Sequence, residues 1–194
     1  MGDPAPPDAV LKALRKVTAA LQGLHREPVA IGALAQHSWG AKIEPGSVEL
    51  LIPPGEAHRE PIFSASRGEG LQQAATEPIQ LKDGLTRLRL RYQDPKTGGA
   101  ADVELLEASA MPLKKAAGRA KQGNVLGMPL LLASCDDVIL FLAASKKPGD
   151  RDILVQLLHH NAGRIDPAYL KAEAGAAGSF EALKSAWQDA KKQA

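Results

Sequence analysis

The alternation of helical and extended patterns along this chain predicts an α/β fold, and three stretches carry that reading. Residues 9–24 place Val10, Leu11, Leu14, Val17, Leu21 and Leu24 at three- and four-residue steps, the spacing of an amphipathic helix. Residues 28–53, PVAIGALAQHSWGAKIEPGSVELLIP, read as strand, glycine turn, short helix and second strand. Residues 86–92 alternate Leu88, Leu90 and Tyr92 with Arg87, Arg89 and Arg91, and a turn cluster at 94–99 returns the chain through a second alternating run at 101–106. That is the pattern of a β-hairpin.

Composition narrows the classes. With 194 residues the chain can bury a sizeable core. The 24 Lys and Arg against 22 Asp and Glu leave a net charge of +2, which argues against a nucleic-acid binder held by bulk charge. One cysteine, Cys135, permits no internal disulfide and fits a reducing compartment. The opening MGDPAPP is acidic and proline-rich, unlike a secretory leader. The longest apolar run, 125–133, is broken by Pro129 and is too short to span a bilayer. The expectation is a soluble cytoplasmic protein.

Taken in order, residues 1–7 are expected to be disordered, residues 8–133 to form the α/β core, and residues 134–194 a helical part packed on it. Asp8 is the expected N-cap of the first helix. Val29–Ile31 is a short buried strand, Gly32 and Ala33 the turn, Leu34–Trp39 a helix and Val48–Ile52 the second strand. Residues 53–66, with three prolines, read as a loop in which His58 and Arg59 can meet a phosphate. A short helix is expected over 67–75 and an edge strand over 79–81. On the hairpin, Val103 and Leu105 share the inward face and Asp102 and Glu104 the outward one, where cross-strand pairing with the arginines is expected. A basic helix over 112–121 and a bent strand within 124–133 follow. Ser134 caps a helix over 135–144 whose first turn holds Asp136 and Asp137. Lys146 and Lys147 close that helix, and three more helices fill 150–161, 167–174 and 179–192. Trp39 reads as a core residue and His37 as a packed or surface one. His159 and His160 point apart, and Cys135 has no His and acid beside it in a nucleophile arrangement.

In a strand, residues two apart share a face, so Ser47 and Glu49 point together toward the Gly32–Ala33 turn. This layout resembles the nucleotidyltransferase superfamily, in particular its minimal and AbiEii-like branch. There a Gly-Gly-x-Ala turn precedes Arg-x-Thr and then Asp-x-Asp on a strand. Counted without gaps, the two Asp positions fall on Ser47 and Glu49, the Arg on Ile43 beside Lys42, and the Thr on Pro45. The second half continues the likeness: Ser134, Asp137 and the Asp152–Ile153 pair match the branch, while its helix lysine falls on Leu142. The resemblance covers roughly residues 28–170.

The resemblance implies a small mixed sheet flanked by helices, with further C-terminal helices. It also implies transfer of a nucleotide from an NTP to a hydroxyl, helped by Mg²⁺ or Mn²⁺. Two such cations about 3.5–4 Å apart clamp the attacking and leaving oxygens in chemistry of this kind. The implied acids are Glu49, Glu104 and Asp102, with Glu49 and Glu104 as metal ligands. Gly32, Ala33, Lys42 and Ser47 would line the nucleotide. Ser47 is a neutral ligand where the family has a carboxylate, and Ala33 adds a methyl group where it has glycine.

Three functions follow. In the first, the metal and NTP site is eroded and the chain is a non-catalytic or weakly active nucleotide-binding or regulatory protein, with an NTP or a protein as its partner. In the second it is an active transferase acting on a protein or RNA hydroxyl, of the toxin–antitoxin or phage-defence type. In the third the likeness misleads, the chain is an unrelated interaction module, and Gly32 and Glu49 lie far apart.

Overall fold

The structure, a computed structural model, describes residues 7–53, 59–74, 79–80, 86–109, 111–145 and 147–193. The first helix, α1 (Pro7–Gly23), is followed by β1 (Val29–Ala30), α2 (Gly32–Ser38) and β2 (Ser47–Ile52). Next come α3 (Arg59–Gly68), β3 (Leu71–Gln73), β4 (Ile79–Gln80), β5 (Thr86–Gln93) and β6 (Ala100–Glu107). The chain continues through α4 (Met111–Gly118), β7 (Lys121–Val125), β8 (Met128–Leu132), α5 (Cys135–Ala144), α6 (Asp150–His160), α7 (Pro167–Ala176) and α8 (Phe180–Lys192).

The strands form one sheet in the order β3-β5-β6-β2-β1-β8-β7, with β4 also paired to β5. It is mixed: β2 and β6 run parallel, as do β1 and β8, while the other neighbours are antiparallel. The register sets Val48 beside Val103 and Leu50 beside Leu105, and across the hairpin Leu90 beside Val103 and Leu88 beside Leu105. Residues at one register share a face, so these form a continuous apolar layer. Helix α1 lies against β6, β5 and β2, burying Val10, Leu14, Val17 and Leu21. The opposite face of β5 and β6 carries a ladder of charges: Arg89 Nε to Glu104 at 3.0 Å, Arg87 to Glu104 at 3.4 Å and Arg91 to Asp102 at 3.3 Å. The expected cross-strand pairing is therefore present.

Helix α5 packs on α6, α7, α8 and α2, joining the C-terminal helices to the sheet. Its Ser134 cap accepts from Asp137 N at 3.2 Å, as the sequence predicts. None of the described helices is long and apolar enough to cross a membrane.

Several local expectations give way. The first helix begins at Pro7, so Asp8 sits inside its first turn and pairs with Lys12 at 2.6 Å instead of capping it. Much of the expected 53–66 loop and the start of the expected 67–75 helix are a single helix, α3, after which Leu71 enters β3. Pro61 lies in the first turn of α3, where its missing N–H has no helical partner to lose. The bend expected within 124–133 is a full reversal: Val125 pairs with Met128, and Leu126 (φ 51°) and Gly127 (φ 82°) form a two-residue turn with both central residues left-handed. Asn124 Oδ1 accepts from Gly127 N at 2.7 Å and closes it. Residues 1–6, His58 and Leu81 lie outside the described residues.

Candidate functional site

The site is built where β1 ends. Ile31 N donates to Glu49 O at 3.1 Å, which ties the start of the turn to β2. Gly32 then turns at φ +57°, a left-handed conformation that favours glycine. A Cβ on Gly32 would stand 2.2 Å from Glu49 Oε2 and 2.6 Å from Glu49 Cδ, so the Glu49 carboxyl lies directly against the turn. This contact contradicts the expectation, attached to the unrelated-module reading, that Gly32 and Glu49 lie far apart.

Beyond Glu49 the register does the assembly. Glu49 stands beside Glu104 and Ser47 beside Asp102 on the neighbouring parallel strand. Ser47, Glu49, Asp102 and Glu104 therefore share the charged face of the sheet. Their circumstances differ. Glu104 is held by Arg87 and Arg89, and Asp102 by Arg91. Among the described residues no arginine pairs with Glu49. Its carboxyl is pushed above the usual range, first by burial and then by the negative charge of Glu104. The Lys147 ammonium and a hydrogen bond with Ser47 oppose that shift, while the Asp150 charge adds to it.

Lys147 lies in the connection from α5 to α6 and Asp150 opens α6, so the C-terminal helices bring charge to the Gly32 turn. The sequence pattern places Lys147 only at a helix end and Asp150 only at a helix start. The concentration of lysine and acid in KKPGDRD was the available signal. Lys42 is exposed, and its backbone N–H donates to Gln156 Oε1 at 3.0 Å, which fastens the α2–β2 connection to α6. Ala33 is half-buried beside Gly32.

Helix α2 is anchored at its far end as well. Asn161 Nδ2 donates to Trp39 O at 2.9 Å, Trp39 Nε1 donates to Ala133 O at 2.9 Å, and Gly40 (φ +94°) lies so close to His160 that a Cβ there would stand 2.7 Å from the ring. His37 is exposed, with Nδ1 2.8 Å from Ile43 O.

The donor set suits a pair of divalent cations poorly. Hard cations take charged oxygen ligands. Here one position is the neutral Ser47, and the two sheet acids beside Glu49 are already paired with arginine. Among the described residues, no group of three His, Cys, Asp or Glu side chains is arranged to hold a metal ion.

A second acidic cluster, at the start of α5, is buried. Asp137 accepts from Ser134 Oγ at 2.5 Å, from Tyr169 OH at 2.8 Å and from Arg119 Nε at 3.3 Å. Asp136 accepts from Arg119 Nη2 at 3.0 Å and from Asp166 N at 2.9 Å, and the Arg119 guanidinium lies 3.8 Å from the Tyr169 ring centroid. Burial pushes the Cys135 thiol up to about 12, so it stays protonated and unreactive near neutral pH.

A mixed sheet with a glycine turn facing an acid-bearing strand is the fold of nucleotidyltransferase-like proteins. No family model matches the sequence and no curated protein matches it, so the likeness is carried by structure. It is similar to an antigenic nucleotidyltransferase-like protein from Paracoccidioides brasiliensis (TM-score 0.55, 14% identity, covering 93% of each chain). It is also similar to the antibiotic-resistance factor ANT(2'')-Ia (TM-score 0.53, 14% identity, 94% of this chain and 93% of that one). A nucleotidyltransferase from Helicobacter pylori, described as putative, aligns with TM-score 0.51 at 12% identity over 94% of this chain and 93% of its own. At such identities the match establishes the fold.

Proposed function

We propose that this chain is a nucleotidyltransferase-like protein with an eroded metal and NTP site, acting as a non-catalytic binding or regulatory protein in the cytoplasm. The observation that carries the reading is the contrast among the acids. Glu104 and Asp102 are neutralised by three arginines, Ser47 carries no charge, and Glu49 stands alone at the turn with its carboxyl biased toward the neutral form. Mg²⁺ or Mn²⁺ would have to displace arginines from the sheet and take a neutral hydroxyl in place of a carboxylate, both unfavourable. Ser134, Asp137 and Asp152–Ile153 support placing the chain in the AbiEii-like branch.

Calorimetric titration with each of the four NTPs, with and without Mg²⁺ or Mn²⁺, tests this on the native protein and on Glu49→Gln. The expected result is no metal-dependent binding, and the same behaviour in both proteins. Metal-dependent binding that disappears in Glu49→Gln would overturn it in favour of an active transferase, and label transfer to protein or RNA acceptors would then identify the substrate.

A further inference from the structure

Helix α8 has more apolar surface than its packing uses. Leu183, Ala186 and Ala190 are buried where the helix meets α5, α6 and α7. Phe180 and Trp187, seven residues apart and so on one face, remain only partly buried. Lys184 lies between them and Lys191 one turn beyond Trp187. Together with Pro167 and Lys171 of α7 they wall a groove of about 360 Å³ floored by Leu183.

The charges around the groove are sorted. Among the described residues no carboxylate lines it. Glu173 of α7 is held by Lys115 at 2.7 Å, and Asp189 of α8 by Arg151 at 2.5 Å and Lys192 at 2.9 Å. Glu181 reaches Lys184 only at 3.9 Å on the surface. Lys171 and Lys191 have no carboxylate partner among the described residues. The result is an aromatic groove with a positive rim, beside acids that are turned away and engaged elsewhere.

We propose that this groove docks an acidic amphipathic segment of a partner protein. A large apolar side chain of that segment enters between Phe180 and Trp187, and its carboxylates lie over Lys171, Lys184 and Lys191. The groove has room for one or two apolar side chains, the anchor pattern of a helix laid in a groove. Charge complementarity selects acidic flanks. A nucleic-acid strand fits less well: stacking platforms for single strands run along a continuous cationic track, and α8 interrupts such a track with Glu181 and Asp189. The groove shares no lining residue with the Glu49 site, and its test uses neither nucleotide nor metal.

The probe is a short helical peptide of Leu and Glu with one Phe, titrated into the full chain while tryptophan emission is followed. The expected result is a saturable blue shift that is absent in Trp187→Phe. Lys171→Glu with Lys191→Glu should weaken binding at least tenfold, while the same peptide with Lys in place of Glu should bind that variant better than the native protein. Thermal melts show whether each variant is folded, and Lys171→Gln with Lys191→Gln gives an intermediate loss without charge reversal. No saturable shift with the acidic peptide, equal binding of the Lys peptide to the native protein, or tighter binding of a single-stranded oligonucleotide than of the peptide would each overturn the proposal.

Discussion

Two acidic clusters flank the sheet, and they solve the burial of carboxylates in opposite ways. At the start of α5, Asp137 is 3% exposed and is met by Ser134, Tyr169 and Arg119, with Arg119 also holding Asp136. At the Gly32 turn, Glu49 is pressed against backbone beside a second acid, with Ser47 and a lysine charge as its compensation. The first cluster is satisfied and therefore structural. The second is compensated only in part: burial and the Glu104 charge outweigh Ser47 and Lys147, and the Glu49 carboxyl is raised. Acid-rich sequence alone does not distinguish them; the partners do.

The comparison breaks first at Asp137. Asp137→Ala leaves Arg119 and Tyr169 without their common acceptor at the junction of α4, α5 and α7. A loss of about 2–3 kcal/mol is expected in urea unfolding, because Asp137 is buried while Arg119 is 39% exposed and keeps Asp136. A loss below about 1 kcal/mol would make that network incidental.

Next in size is Gly32→Ala. A left-handed alanine and a collision with Glu49 together cost about 2 kcal/mol. Glu49→Ala in the same chain should restore the steric part but not the backbone part. A double-mutant cycle with no coupling would mean that Glu49 does not rest on the turn.

Glu49→Gln runs the other way. Because the folded carboxyl is raised above its ordinary value, the native protein loses stability as pH rises through the folded value, whereas the amide does not titrate. The variant should match the native protein in acid and melt slightly higher at neutral pH, by roughly 0.5 kcal/mol or less. Melts that diverge in acid instead would reverse the assignment.

Asp94, at the hairpin turn, acts in acid alone. Lys12 at 2.6 Å and the Lys96 N–H at 2.8 Å hold its carboxyl down, from 3.8 to about 2. Its contribution is complete above about pH 4 and is lost as pH falls through about 2, so Asp94→Asn should flatten acid unfolding in that window alone.

Strict periodicity was legible. The alternation of 86–92 fixed both the inward leucines and the outward arginines, and from them the pairing with Glu104 and Asp102. The Ser134 cap was legible because capping is local. Helix α3 was not, since Pro53, Pro54 and Pro61 masked a helix that tolerates proline in its first turn. The β7–β8 turn was hidden by Leu126, a residue that seldom adopts positive φ. At the site, spacing brought Gly32, Ser47 and Glu49 to one face. Lys147 and Asp150 reach Glu49 through the packing of α5 and α6, a tertiary fact with no local pattern.

The contact between Gly32 and Glu49 also bears on how a glycine in such a turn is to be read. A glycine at a nucleotide-binding turn is ordinarily credited to the ligand, because backbone must approach phosphate. Here the molecule's own side chain occupies the direction a Cβ would take, and the backbone is left-handed whether or not anything is bound. Selection for folding alone would keep glycine at this position long after an activity had gone, so its persistence in a lineage measures packing, and only the fate of the acids around it measures chemistry.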